Sequence, residues 1–288
     1  MKKIKALILA GYGLNCEAET AYAFKLAGAS ADKIHINSVI KKKNLLKNYQ
    51  ILALPGGFSW GDEHGAGVLE ALKLKTELGD ILWQFIEDKK LIIGICNGFQ
   101  TLINIGLLPG FFENNHNKAC CFSLEEKKRE YKPKKRSAAL IANDCGAFID
   151  KWVHLMVNKN SKCVFTNQIS EIELPVRHSE GKFFATGNII KKLIDNNQVV
   201  IRYADPFFKP ADGNPLYNPN GSLRDIAGIC DATGRIFGLM PHPESFNIFM
   251  NHPNWPLKKQ MLSKKSDLFN RYEKIGIQIF ENAVKYFL

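Results

Sequence analysis

Two hydrophobic rhythms alternate along the first hundred residues. Residues 4–10 form a short apolar run, and residues 16–27 repeat their apolar positions with helical spacing. Residues 33–39 predict a second strand and 50–54 a third, with Lys41, Lys42 and Lys43 as a solvated turn between them. Residues 68–88 read as a long amphipathic helix. The run 91–95 reads as a buried strand that passes at once into a helical pattern. Strand and helix thus alternate over residues 1–108, which predicts an α/β fold: a mostly parallel sheet with helices on both faces.

The middle of the chain changes rhythm. Residues 119–124, 137–142, 152–157 and 171–177 read as strands without helices between them, so antiparallel additions to the sheet are expected. Residues 175–183 read as a polar loop, and 199–203 as a further strand. Residues 226–230 and 236–240 predict a hairpin about the turn 231–234. The tract 125–136, EEKKREYKPKKR, predicts a charged hairpin tip or loop. An amphipathic helix is expected over 265–287. The expectation is one domain over 1–288, with a charged insertion near 113–150 and a helical tail over 255–288.

Composition narrows the class. The chain has 288 residues, 45% hydrophobic and 23% charged, as in ordinary globular proteins. No apolar stretch approaches membrane-spanning length, so no membrane partner is expected. Residues 1–10 mimic a signal peptide but run into Gly11-Tyr12-Gly13, and a first strand is the preferred reading. Seven cysteines without a CxxC argue against a disulfide framework and a zinc site. His116 near Cys120 and Cys121 is a discounted metal hint, and a cytoplasmic location fits best. The net charge of +11 would suit nucleic acid, but no aromatic-interleaved basic motif accompanies it, and none is expected as a partner.

The candidate chemistry starts at Cys96. Gly94-Ile95-Cys96-Asn97-Gly98 places a cysteine in a tight turn between strand and helix, as in a nucleophile elbow. The sulfur then sits at a helix N-terminus, where the dipole favours an anion. Gly56 and Gly57 follow the third strand, so their N–H groups reach the same sheet edge. No GK[ST] follows them, which disfavours a phosphate cradle. A nucleophilic thiol needs a base and a group that orients it. His242 and Glu244, at a strand end between prolines, can supply both. The Asn97 N–H and an N–H of Gly56-Gly57 are candidate oxyanion donors.

Gly94-Ile95-Cys96-Asn97-Gly98-Phe99-Gln100, the PGGFSWGD loop and the MPHPE end together resemble the class I glutamine amidotransferases. Within that family the chain is similar to the glutaminase subunits of phosphoribosylformylglycinamidine synthases. Asn15-Cys16-Glu17, His178-Ser179-Glu180-Gly181 and Asn218-Pro219-Asn220-Gly221-Ser222 add to the likeness. The resemblance implies a flavodoxin-like doubly wound sheet and a glutaminase that uses Cys96, His242 and Glu244. It implies L-glutamine binding at Gln100, Gly181 and Phe183. It also implies ammonia transfer to a synthetase subunit that turns formylglycinamide ribonucleotide and ATP into the amidine, with a small bridging subunit as an optional third chain. No cofactor is implied in this chain; ATP and Mg belong to the synthetase. Trp60, Glu63-His64-Gly65 and Ser245 depart from the family pattern, where partner contacts are expected.

Three other readings compete. A cysteine hydrolase of another flavodoxin-like family would not need Gln100 or the HPE end. A non-catalytic scaffold would not need Cys96, His242 and Glu244 together. A nucleic-acid binder rests on charge alone. Cys16 is a rival thiol, disfavoured because no glycines flank it.

Overall fold

The computed structural model describes residues 3–110, 122–125, 128–133, 136–262 and 275–288. The sheet starts from β1 (Lys5–Ala10), β2 (Ser30–His35), β3 (Ile51–Leu54) and β4 (Leu91–Ile95). Helices α1 (Glu17–Leu26), α2 (Ile36–Lys41), α3 (Val68–Glu87) and α4 (Asn97–Ile105) accompany them. A hairpin of β5 (Phe122–Glu125) and β6 (Lys128–Pro133) follows, then β7 (Ala138–Ile141), β8 (Ile149–Val157) and β9 (Glu171–His178). Next come β10 (Lys182–Ala185), α5 (Gly187–Asp195), β11 (Val199–Ala204), β12 (Ile226–Cys230) and β13 (Ile236–Leu239). The chain continues through α6 (Trp255–Leu262) and α7 (Ile275–Lys285).

Nine strands form one sheet in the order β2-β1-β3-β4-β13-β12-β11-β8-β9. The pairs from β2 to β13 are parallel, and every pair from β13 outward to β9 is antiparallel. The parallel part has the flavodoxin-like doubly wound order. Its central strands are wholly buried: every residue of β3 and β4 lies in the core, as strands covered on both faces require, whereas the edge strand β2 is half exposed. Among the described residues, no helix is long and apolar enough to cross a membrane.

Several segments differ from the sequence reading. The second strand ends at His35, and residues 36–41 are helical. Ile36 and Val39 are three apart and share a buried face, while His35 Nδ1 accepts the Asn37 N–H at the new helix start (3.2 Å). Helical turns also replace the expected solvated turn at Lys41–Lys43. The expected polar loop 175–183 is mostly strand: Pro175 to His178 complete β9, and β10 pairs with β7. Helix α5 went unread although Ile190 and Leu193 give it a buried stripe. The expected strand 119–124 begins outside the described residues, as do His116, Cys120, Cys121 and the first half of the expected tail helix.

The C-terminal helix is fastened into the core. Phe280 of α7 is fully buried and meets Phe24 of α1 edge to face, with ring centroids 4.9 Å apart. Asn282 Nδ2 donates to the carbonyls of Phe165 (3.0 Å) and Asn167 (2.7 Å). Phe280→Ala is therefore expected to lower stability by about 3–5 kcal/mol in urea unfolding. A loss under about 1 kcal/mol would mean that the helix adds little to the core.

Candidate active site

The site forms because two neighbouring strands end side by side. In the parallel register Ile95 of β4 faces Leu239 of β13, so Cys96 and His242 both lie just beyond the same edge. The Cys96 N–H donates to the Leu239 carbonyl (2.8 Å) and the His242 N–H to the Pro175 carbonyl (2.8 Å). These bonds tie the ends of β4, β13 and β9 together. Cys96 has φ 50° and ψ −106°, a left-handed strain that surrounding packing must enforce. Gly98 explains that packing: a Cβ there would lie 1.9 Å from the Leu54 carbonyl oxygen. The flanking glycine lets α4 press against β3, beyond the thiol access read from sequence.

His242 Nδ1 is 2.6 Å from Glu244 Oε1, and both side chains are buried. Burial opposes a charged imidazole most strongly of any single influence, yet the Glu244 carboxylate and the Cys96 and Cys16 sulfurs beside the ring together outweigh it and hold His242 well above its ordinary pKa. Among the described residues Nε2 has no hydrogen-bond partner within geometric limits. The other nitrogen is thus held by a carboxylate, as the base of an acyl-transfer site requires.

A small pocket opens on Cys96, lined by Gly57, Phe58, Asp62 and Gln100 on one side and Arg177 to Glu180 on the other. Cys96 itself is only 5% exposed. The Gly56 carbonyl accepts the N–H groups of Asn15 (3.3 Å) and Cys16 (3.1 Å). In a trans peptide the Gly57 N–H then points the opposite way. Asn97 stands at the first position of α4, where backbone N–H groups lack helical partners. Its side chain accepts the Ser59 N–H (3.3 Å) and donates to Asp62 (3.3 Å) and Gln100 (3.1 Å). Gln100 Nε2 in turn donates to the Glu180 carbonyl (2.5 Å), fastening the 178–181 turn over Cys96.

Gly181 and Phe183 do not line this pocket. The Gly181 N–H donates to Asn143 Oδ1 (3.1 Å), the Phe183 N–H donates to Ser222 Oγ (2.9 Å), and the Phe183 ring is in the core. They shape the turn that carries Arg177 to Glu180.

Asp62 and Glu180, which the sequence reading left out, bring two carboxylates to the pocket mouth. Burial first, then the nearby Glu180, pushes Asp62 up to about 6. Cys16 is also closer than sequence suggested: its sulfur lies with His242 and Glu244 in a group whose donor atoms are within 4.8 Å of one another. Burial raises the Cys16 pKa. His178 is buried, and its pKa falls to about 3 through burial and the proximity of His242.

Residues 3–287 match the CobB/CobQ-like glutamine amidotransferase domain. The chain belongs to that family. This amidotransferase is 43% identical to the phosphoribosylformylglycinamidine synthase subunit PurQ of Methanococcus maripaludis, over 98% of this chain and 97% of the relative. It is 41% identical to the subunit of the same name in Dehalococcoides mccartyi, over 99% and 98% of the two chains. A chain in the structure of PurLQS from Thermotoga maritima superposes with a TM-score of 0.67 at 27% identity, covering 99% of this chain and all of that one.

Behind Cys96, the amidotransferase buries Glu70, whose Oε2 accepts the Thr101 hydroxyl (2.8 Å). Burial pushes this carboxyl up to about 7 from 4.5. Between those values the folded chain keeps a proton that the unfolded chain releases, so this group costs stability as pH rises and costs most above pH 7. Glu70→Gln is expected to raise stability at pH 8 by roughly 1–3 kcal/mol and to change little at pH 4. Urea midpoints at the two values check this, and an equal shift at both would contradict it.

Proposed function

We propose that this chain is the glutaminase subunit of a phosphoribosylformylglycinamidine synthase, with Cys96 as nucleophile, His242 as acid and base, and Glu244 as the group that orients His242. The observation that carries the residue assignment is the convergence of the strained Cys96 and the His242–Glu244 pair on one sheet edge. The substrate and partner follow from the near full-length likeness to PurQ subunits.

Glutamine enters with its side-chain amide against Cys96. The sulfur attacks the amide carbon, and its proton passes to His242. The Asn97 and Gly57 N–H groups face the oxyanion that forms; each such donor is worth about 100-fold or more in rate. The imidazolium gives its proton to the amide nitrogen, the C–N bond breaks and ammonia leaves. Water, deprotonated by His242, then attacks the thioester; the C–S bond breaks, releasing glutamate and the thiol. Gln100 holds the pocket wall, and Asp62 and Glu180 are placed for the glutamine ammonium group.

Cys96 rather than Cys16 is the nucleophile. Cys96 faces the pocket, whereas Cys16 does not line it and its thiol donates to Asn15 Oδ1 (3.3 Å). Cys96→Ala is expected to abolish glutamate release from glutamine, and Glu244→Gln to slow it by about 100- to 10,000-fold. Cys16→Ala should retain it. An inactive but folded Cys16→Ala would overturn the assignment.

The ammonia goes to the synthetase, which carries ATP and Mg, with a small bridging subunit as an optional third chain. This chain holds no GK[ST] phosphate loop of its own. Seven cysteines without a CxxC support a cytoplasmic location. Exposed aromatic side chains surround the pocket: Tyr12 (44%), Phe58 (43%) and Phe148 (51%), with Trp60 against Tyr12 at 4.6 Å between centroids. Such anchors suit a protein partner. The Gln100–Glu180 bond keeps the pocket nearly closed until that partner shifts the turn. Phe148→Glu should thus leave glutamate release by the lone chain at the wild-type level and cut its stimulation by the synthetase at least tenfold. Unchanged stimulation would place the interface elsewhere.

A further inference from the structure

A pocket of about 810 Å³ lies at the edge of the sheet opposite Cys96. Antiparallel β8 ends there and β9 begins there, beside the turn between β12 and β13, where the Val164 N–H donates to the Gly234 carbonyl (2.9 Å). The active-site pocket shares none of its residues.

Its lining is polar and one-sided in charge. Lys159, Lys162 and Lys285 contribute three exposed ammonium groups, and among the described residues no acidic one lines it. Glu281 reaches Lys285 from outside the lining, at 3.9 Å. The end of α7 also faces this region, and its carbonyl dipoles oppose an anion. Three lysine charges outweigh a terminal charge of about −0.5. Asn167, Gln168 and Tyr286 add amide and phenol groups suited to a heterocycle or sugar. The volume falls in the range of about 300–1,000 Å³ typical of organic ligands and exceeds what a bare phosphate fills.

The pocket is physically joined to the active site. Asn282 pins the pocket loop to α7 through Phe165 and Asn167. Six residues earlier on the same helix, about 9 Å away, Gly276 packs against the turn that carries Glu244. A Cβ on Gly276 would lie 2.5 Å from the Pro243 carbonyl oxygen and 2.2 Å from that of Phe246. Helix α7 thus touches both the pocket loop and the turn that carries Glu244.

We propose that this pocket binds a phosphate monoester of nucleotide size, and that its occupancy reaches Glu244 through α7. Calorimetric titration of the full chain with AMP and with ribose 5-phosphate tests the site, with adenosine as the uncharged control. Saturable binding of at least one phosphate ester is expected, with none for adenosine. Affinity should fall more than tenfold in the double variant Lys162→Glu, Lys285→Glu, whose exposed positions leave the fold intact by thermal unfolding. The control Lys33→Glu, on β2, should bind normally. No saturable binding of either ester, or equal binding by the double variant, overturns the site. Glutamate release with and without saturating ester tests the link: a change of twofold or more is expected, and an unchanged rate overturns it. Binding is read without turnover, so its loss is distinguishable from a failure of the glutaminase assignment.

Discussion

The close approach of α4 to the ends of β3 and β4 is the contact on which the site depends. Gly94 and Gly98 permit it, since a side chain at either would strike backbone or the Leu102 side chain. The approach leaves the chain no room for an ordinary turn, so Cys96 takes a strained left-handed conformation at the sheet edge. That strain is held by packing on every side: the strands beneath are fully buried, and the Cys96 N–H is tied to β13. The thiol position is thus set by the core, and a neighbouring strand delivers His242 beside it.

The electrostatics follow from burial. The desolvation of His242 is overcome by the Glu244 carboxylate, 2.6 Å away, acting together with the Cys96 and Cys16 sulfurs. Burial acts in the opposite direction on carboxyls without cationic partners, raising Asp62 and Glu70. The resulting site combines a carboxylate-held imidazole with acidic groups at the mouth, an arrangement that suits a substrate carrying an ammonium group.

Much of this was legible in the sequence. The glycines at 94 and 98, the run before Cys96 and the HPE end each reflect a local rule, and together they located the strained turn at Cys96 and the paired His242 and Glu244. The buried strands were legible because both faces are covered. What escaped detection depended on tertiary context. Residues 33–39 are apolar enough for a strand, but only the His35 cap and the shared face of Ile36 and Val39 stop β2 and start α2. Asp62, Glu180 and the nearness of Cys16 to His242 arise from loops meeting across more than thirty residues, where no spacing gives a signal. Gly181 and Phe183, expected at the substrate, instead spend their N–H groups on Asn143 and Ser222.

The most direct test of the account is covalent capture with a glutamine diazoketone, 6-diazo-5-oxo-L-norleucine, read by peptide mass spectrometry. The account predicts one adduct per chain, on Cys96, suppressed by excess glutamine and faster in the presence of the synthetase. An adduct on Cys16, or labelling of Cys96 that glutamine does not slow, would contradict it.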